Sequence, residues 1–238
     1  MNIFIEKFRI FRLVYEFFIG GKIKLFSPSY RRYLHFIKTW ERVMKVRMMR
    51  LAMMFNLLVL FVPLSYGKPI TYVIDPNHTF PAFEADHMGG LSLWRGKINS
   101  TSGKIILDKK NKTGSVNVVM EMDSIDFGHE GMNEKAKSSD LFDVEDFPQA
   151  VYQGVFVNFQ DGKPTKVEGE LTLHGISKSV NLEIRAFKCR LHPFKLREVC
   201  GADVRGNIMR DDFGIDYAKL MGFKMDVALR IGVEAIKK

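Results

Sequence analysis

The sequence predicts an all-β fold: an antiparallel barrel of about eight strands with one or two short helices near one mouth. Three observations predict it. From residue 70 onward, successive segments alternate apolar and polar residues at the period of a strand. Short turn signals separate those segments. A single stretch, residues 130–139, drops the alternation and is small, polar and helix-favouring.

The chain ahead of the barrel differs in charge. Residues 1–67 carry 12 Lys and Arg against 3 Asp and Glu, which accounts for the whole net charge of +9. Residues 68–238 carry 24 of each sign and are neutral. A nucleic-acid surface needs a local positive excess. The Lys109-Lys110-x-Lys112 turn is the only run of basic residues there, so no nucleic-acid partner is expected.

Arg47 and Arg50 precede the apolar run 51–62, which Asn56 interrupts. Pro63 follows, and Ser65 and Gly67 stand at the −3 and −1 positions of a cleavage site. Basic, apolar, small is the order of a secretory leader. The run is shorter than the roughly 20 residues of a membrane span. An uncleaved interfacial anchor is the competing reading. The expected division is an N-terminal extension over 1–43, a signal peptide over 44–67 and a barrel over 68–238. Met44, Met48 and Met49 are candidate starts, which would leave 1–43 upstream of the true one; peptides from 1–43 in the precursor's mass spectrum would contradict that. The alternative for this aromatic-rich extension is a membrane-surface amphipathic segment.

Cys189 and Cys200 both lie beyond the leader. They are too far apart for a Cys-x-x-Cys redox pair, and with only His192 between them they make a poor zinc site. In an exported protein the expectation is a disulfide rather than two free thiols. Its loop would contribute about 3 kcal/mol in the chain-entropy view.

The strands follow in order. Residues 70–75 are β-rich and end at the turn Asp75-Pro76-Asn77. Over 81–87 one face is Pro81, Phe83, Ala85 and His87. Residues 104–108 and 115–123 pair across Lys109–Gly114, with Val116, Val118, Met120 and Met122 on one face. Residues 167–173 place Val167, Gly169, Leu171 and Leu173 together, and 180–186 do the same for Val180, Leu182, Ile184 and Ala186. Asp161-Gly162 and His174-Gly175 read as hairpin turns. Ile208 shares parity with Arg210 on a strand starting near Ala202, and the last strand aligns Phe223, Met225, Val227, Leu229, Ile231 and Val233. One apolar and one polar face per strand implies antiparallel pairing around one core. Periodicity alone does not say whether that interior is packed or hollow.

Catalytic constellations are absent from the sequence. His78, His87, His129, His174 and His192 form no His-Glu-x-x-His or His-x-His pair. There is no Gly-x-Ser-x-Gly elbow. Asp140, Asp143, Glu145 and Asp146 lack EF-hand spacing and read as a solvated loop. No enzyme activity, metal or cofactor is expected. Two inward polar residues stand out: His87, as a satisfied core histidine or a head-group contact, and Arg210. A buried arginine needs an anionic or carbonyl partner, which Asp211, Asp212 or a ligand would supply.

Four segments together resemble the YceI-like family of polyisoprenoid-binding proteins. They are Tyr72-Val73-Ile74-Asp75-Pro76-Asn77-His78-Thr79 with Phe83 and His87; Ser124-Ile125 with Leu141-Phe142-Asp143 and Phe147-Pro148; Val167 through Lys178, reading VEGELTLHGISK; and Arg210-Asp211-Asp212-Phe213-Gly214-Ile215. The cysteines flanking His192-Pro193 resemble a disulfide-bearing branch. The resemblance covers about residues 70–235. It implies an extended lipocalin-like barrel, exported in Gram-negative bacteria, whose apolar tunnel holds a polyprenyl chain or an isoprenoid quinone tail. Phe83, Met120, Leu171, Leu173, Ile208 and Phe223 would line the tunnel, Phe142 and Phe147 would sit near its mouth, and His78, His87 and Arg210 would lie near a head group. Met132-Asn133 stands where many members carry Arg-Asp, and Ala136 where leucine is common, which weakens any polar contact from that helix and points to a wider mouth.

The expected function is therefore a non-catalytic periplasmic carrier of an isoprenoid lipid, with transient contact to a membrane or membrane protein and with monomer and dimer both open. Two rivals remain: an enzyme acting on a lipid or quinone through His78, His87 or Arg210, and a packed-core interaction protein serving a membrane redox partner.

Overall fold

The structure, a computed structural model, describes residues 68–238 together with residues 35, 39–40 and 42–49, the last of which are helical. The chain divides into two compact units, Met1–Ser65 and Tyr66–Lys238. The apolar run of the expected leader lies outside the described residues. No described helix is long and apolar enough to cross a membrane.

The second unit is built from β1 (Ile70–Ile74), β2 (Phe80–His87), β3 (Ser92–Ile98), β4 (Thr101–Asp108), β5 (Thr113–Glu121), β6 (Ile125–Asp126), β7 (Gln149–Gln160), β8 (Lys163–Leu173), β9 (Ile176–Leu191), β10 (Glu198–Met209) and β11 (Asp226–Lys237). Every pairing is antiparallel. Short interruptions split three of the staves: β1 with β2, β3 with β4 and β5 with β6. Joined across those breaks, the strands form an eight-stranded closed barrel in which each stave neighbours the next. Its seam lies between the first and last staves, where β11 gives Ala235–Lys237 to β1 and Val227–Gly232 to β2.

The break in the first stave is bridged by side chain and backbone. The Thr79 hydroxyl donates to the Glu234 carbonyl at 3.0 Å and accepts from the Glu234 N–H at 3.1 Å. Asp75 N–H donates to the same carbonyl at 2.9 Å. Thr79 is fully buried there, so its hydroxyl replaces the backbone pairing that the bend removes.

The expected hairpin turns form as read. Asp161 and Gly162 have φ of 51° and 73°, and His174 and Gly175 of 52° and 72°. Two successive left-handed residues are the geometry that matches strand twist in a two-residue hairpin. The helix α1 spans Glu130–Lys137, with the His129 imidazole accepting the Met132 N–H at its start. Ala136 is fully buried in the core beneath it.

Alternation holds over most strands and fails at bulges, one in β7 around Val157 and one in β9. Ile184 pairs with Val204 and Ala186 with Asp203, which leaves Arg185 as an extra residue. A bulge flips the parity beyond it. Ala186, expected inward, is exposed, and Phe187 turns inward instead. The last strand also starts later than read: Phe223 and Met225 precede β11, after 3-10 turns at Arg210–Phe213 and Lys219–Met221.

Candidate functional site

The barrel is hollow. A cavity of about 470 Å³ runs from His87 and Phe223 at one end to Tyr72, Leu107 and Ala235 at the other. Packed cores hold few voids larger than a water molecule, whereas small-molecule sites occupy roughly 300–1,000 Å³. The alternating faces are what line it. Val116, Val118, Met120 and Met122 come from β5 and its end, Leu171 and Leu173 from β8, Val180 and Leu182 from β9, and Ile208 from β10. Phe83 projects from β2 and meets Phe127 edge-on at 5.6 Å. Gly96 makes room for that pair, since a Cβ there would stand 2.5 Å from the Phe83 ring.

Two tyrosines reach the cavity with their hydroxyls already used. Tyr152 donates to the Val180 carbonyl at 2.9 Å, and burial pushes its phenol pKa up. Tyr72 donates to the Glu198 carboxylate; burial, then that neighbour, raise its pKa as well. Lys109 completes this group, with its ammonium 3.2 Å from Glu198. A buried Tyr whose polar tip is satisfied presents an apolar body to the space beside it.

The polar residues of the site gather at the end that carries α1. His87 stacks on Trp94 with ring centroids 4.2 Å apart and meets Phe223 edge-on at 5.5 Å. Met132 and Lys135 reach the cavity from α1, and the Lys135 ammonium lies 4.5 Å from the Tyr217 ring centroid. Arg210 lines the cavity too. Its guanidinium donates to the carbonyls of Ile215 at 2.9 Å and Tyr217 at 2.8 Å. Burial lowers its pKa, against the pull of Asp211, Asp216 and Asp86. The carboxylate partner expected from Asp211 or Asp212 is not used: Asp211 pairs with Lys219 at 2.7 Å. Arg210 is the strut of the 210–217 loop.

Of the residues singled out from sequence, Phe83, His87, Met120, Phe142, Leu171, Leu173, Ile208, Arg210 and Phe223 line one cavity. His78 and Phe147 do not. The His78 side chain is half-exposed, with Nδ1 3.2 Å from the buried Asp75 carboxylate. Lys195 reaches the same carboxylate at 3.2 Å. Phe147 packs edge-on against His174 at 4.5 Å and fills the space above Gly175, where a Cβ would come within 2.6 Å of its ring. It locks the β8–β9 turn. His174 also bonds the Phe213 carbonyl at 3.1 Å, so three of the resembling motifs meet at this corner. Asn133 serves structure as well, accepting the Phe127 N–H at 2.7 Å. Trp94, Tyr217, Lys135 and Phe187 line the cavity without having been singled out.

The Cys189–Cys200 disulfide is formed, and it joins residues directly opposite on β9 and β10. Glu198 lies beside the two sulfurs, but these are bonded to each other and not available to a metal.

A closed antiparallel barrel around one apolar cavity, with polar side chains at one end, is the architecture of a lipocalin-like protein. The chain belongs to the YceI-like family: the YceI-like domain profile matches residues 72–235. A UPF0312 protein of Vibrio campbellii is 29% identical over 185 residues, 76% of this chain and 95% of that one. The protein YceI of Salmonella arizonae is 29% identical over 170 residues, 70% of this chain and 87% of that one. Among solved structures, Burkholderia cenocepacia BcnA superposes with a TM-score of 0.53 at 17% identity, covering 66% of this chain and 96% of that one. A polyisoprenoid binding domain from Saccharophagus degradans gives 0.51 at 13% identity, covering 71% and 99%. These structures share the fold.

Proposed function

We propose that the barrel is a carrier for a long isoprenoid chain, a polyprenyl lipid or the tail of an isoprenoid quinone, working in the periplasm of a Gram-negative bacterium. The observation that carries this reading is the cavity: about 470 Å³ deep inside a closed sheet, walled by apolar side chains, with the Tyr72 and Tyr152 hydroxyls turned to protein partners. Such a wall rewards burial of hydrocarbon, at about 25 cal/mol per Å² before association costs, and offers a polar head group contacts near His87, Lys135, Arg210 and Tyr217. The polyisoprenoid binding domain that shares the fold supports the choice of ligand class. The disulfide fits an oxidising compartment. No residue is assigned a catalytic role.

The test is organic extraction and mass spectrometry of the protein purified from a Gram-negative periplasm. A stoichiometric isoprenoid species is the expected result and identifies the ligand. An empty protein that also refuses added polyprenyl lipids and quinones refutes the carrier.

A further inference from the structure

The far end of the barrel carries a feature that holding a lipid inside does not require. β8 stops pairing with β9 at Lys166 and Glu183. Beyond that point β9 continues to Leu191 with β10 as its partner, and the two strands turn over at residues 192–197. The turn is held by its own bonds. His192 Nδ1 accepts the N–H of Phe194 at 3.2 Å and of Lys195 at 3.1 Å, and the Leu196 N–H returns to the His192 carbonyl at 3.1 Å. The disulfide clamps its base, and the Lys195–Asp75 pair ties one side to the first stave.

This braced tip presents apolar side chains to water. Phe194 is 91% exposed, Leu196 75% and Leu191 64%. Leu196 also holds φ at 49°, a left-handed conformation unfavourable for a leucine. The charge along the chain of the tip is one-sided. Residues 184–197 hold five Lys and Arg and no Asp or Glu, within a barrel that is neutral as a whole. Lys188, Arg190 and Arg197 enter no ion pair among the described residues.

We propose that this hairpin docks on an anionic phospholipid bilayer, with Phe194 and Leu196 entering the interfacial layer and Lys188, Arg190 and Arg197 meeting the head groups. Exposed apolar side chains within a basic surround are the pattern of interfacial attachment. A cleft beside the hairpin, lined by Lys163, Arg185 and Arg190 together with the carboxylates Asp161, Asp203 and Glu234, shares Ile184 and Phe187 with the wall of the main cavity. Docking would therefore bring the membrane surface to one thickness of side chain from the interior. The inference stands apart from the carrier reading, because it concerns where the protein sits and not what it holds.

The test is co-sedimentation of the purified protein with vesicles of phosphatidylglycerol and phosphatidylethanolamine, against vesicles of phosphatidylcholine alone. Binding to the anionic vesicles that weakens with salt is expected. The pair Lys188→Ala with Arg197→Ala should cut partitioning by about thirtyfold, the loss of two cations near the surface. The pair Phe194→Ser with Leu196→Ser should cut it by about tenfold or more. Circular dichroism and intact disulfide confirm that the variants are folded. Equal binding to phosphatidylcholine overturns the proposal, as does binding that survives both pairs and so resides elsewhere, the basic residues 1–50 included. Self-association that Phe194→Ser abolishes, without vesicle binding, assigns the tip to a second copy and overturns it too. Isoprenoid content of the same preparations reports on the carrier reading separately.

Discussion

Both ends of the barrel expose large apolar side chains, but they differ in what their charges do. At the end bearing α1, Met88, Leu91, Leu93, Leu220 and Met221 are open to water. The charged groups around them are spent on holding loops. The Asp86 carboxylate accepts the N–H groups of Gly89 at 2.8 Å and Lys224 at 3.0 Å. Lys219 pairs with Asp211, and Arg210 props the carbonyls of its own loop. At the end bearing the disulfide, Lys188, Arg190 and Arg197 enter no ion pair among the described residues, and only Lys195 is tied to a carboxylate among the cations of the 192–197 turn. Charge that fixes a loop belongs to the fold, while charge left unpaired beside exposed apolar groups is available to something outside it. The cavity joins these two ends.

The largest expected effect breaks the comparison by removing what joins them. Leu173→Asp puts a carboxylate with no partner into the cavity wall, where such burial typically costs about 3–5 kcal/mol. Urea unfolding should show that loss, and extracted isoprenoid should fall to background; a folded variant that keeps its lipid would reject the tunnel assignment. The next effect separates the ends. Replacing Cys189 and Cys200 by alanine should cost about 3 kcal/mol, with faster amide exchange over 184–203 and little change over 210–225. Arg210→Met should do the reverse. It should cost about 2 kcal/mol through two lost charge-assisted bonds, with faster exchange in Ile215–Tyr217 and an unchanged hairpin. Exchange that rises equally at both ends in either variant would show that they are not independent. The smallest effect sharpens the contrast through pH. Burial alone would raise the Asp75 pKa, but bonds from His78, Asn77 and Lys195 outweigh it and hold it below the ordinary 3.8. The stability this carboxylate supplies is therefore complete above that value and is lost as pH falls through the lowered one. Asp75→Asn should lose that increment at neutral pH and flatten the acid limb, read from thermal melts between pH 2 and 5.

Much of the barrel was legible in the sequence because a half-buried strand writes its face into the chain. Val116 to Met122 and Val167 to Leu173 point where their alternation says. What was not legible depends on partners distant in sequence. The bulge at Arg185 is a mismatch between β9 and β10, so no local pattern announces that Ala186 faces out and Phe187 in. Phe223 and Met225 keep strand parity but sit in a loop set by Arg210 and by the Asp86–Lys224 contact. The strand Ser92–Ile98, which supplies Trp94 to the site, is faint in the sequence because exposed Leu93 breaks its apolar parity and one inward position is the small residue Gly96. His78 and Phe147 belong to motifs shared with the family, yet the structure gives them a bend and a turn to hold, away from the cavity. Shared residues at a fold's corners and those at its binding site are alike in one dimension. The basic hairpin is hidden differently: its cations are spaced among apolar residues, and only the turn brings them together.

The seam between β1 and β11 has a consequence for timing. Every other neighbour in the ring is also a neighbour in sequence, so seven staves can assemble in order as an open curved sheet while the chain emerges. The cavity has no fourth wall until Tyr72 meets Lys237 and Ile74 meets Ala235. A partly made chain therefore encloses no cavity. A nascent barrel is an apolar trough with two free edges, exposed to whatever meets it first, and its safe passage depends on the last strand arriving before a stranger does.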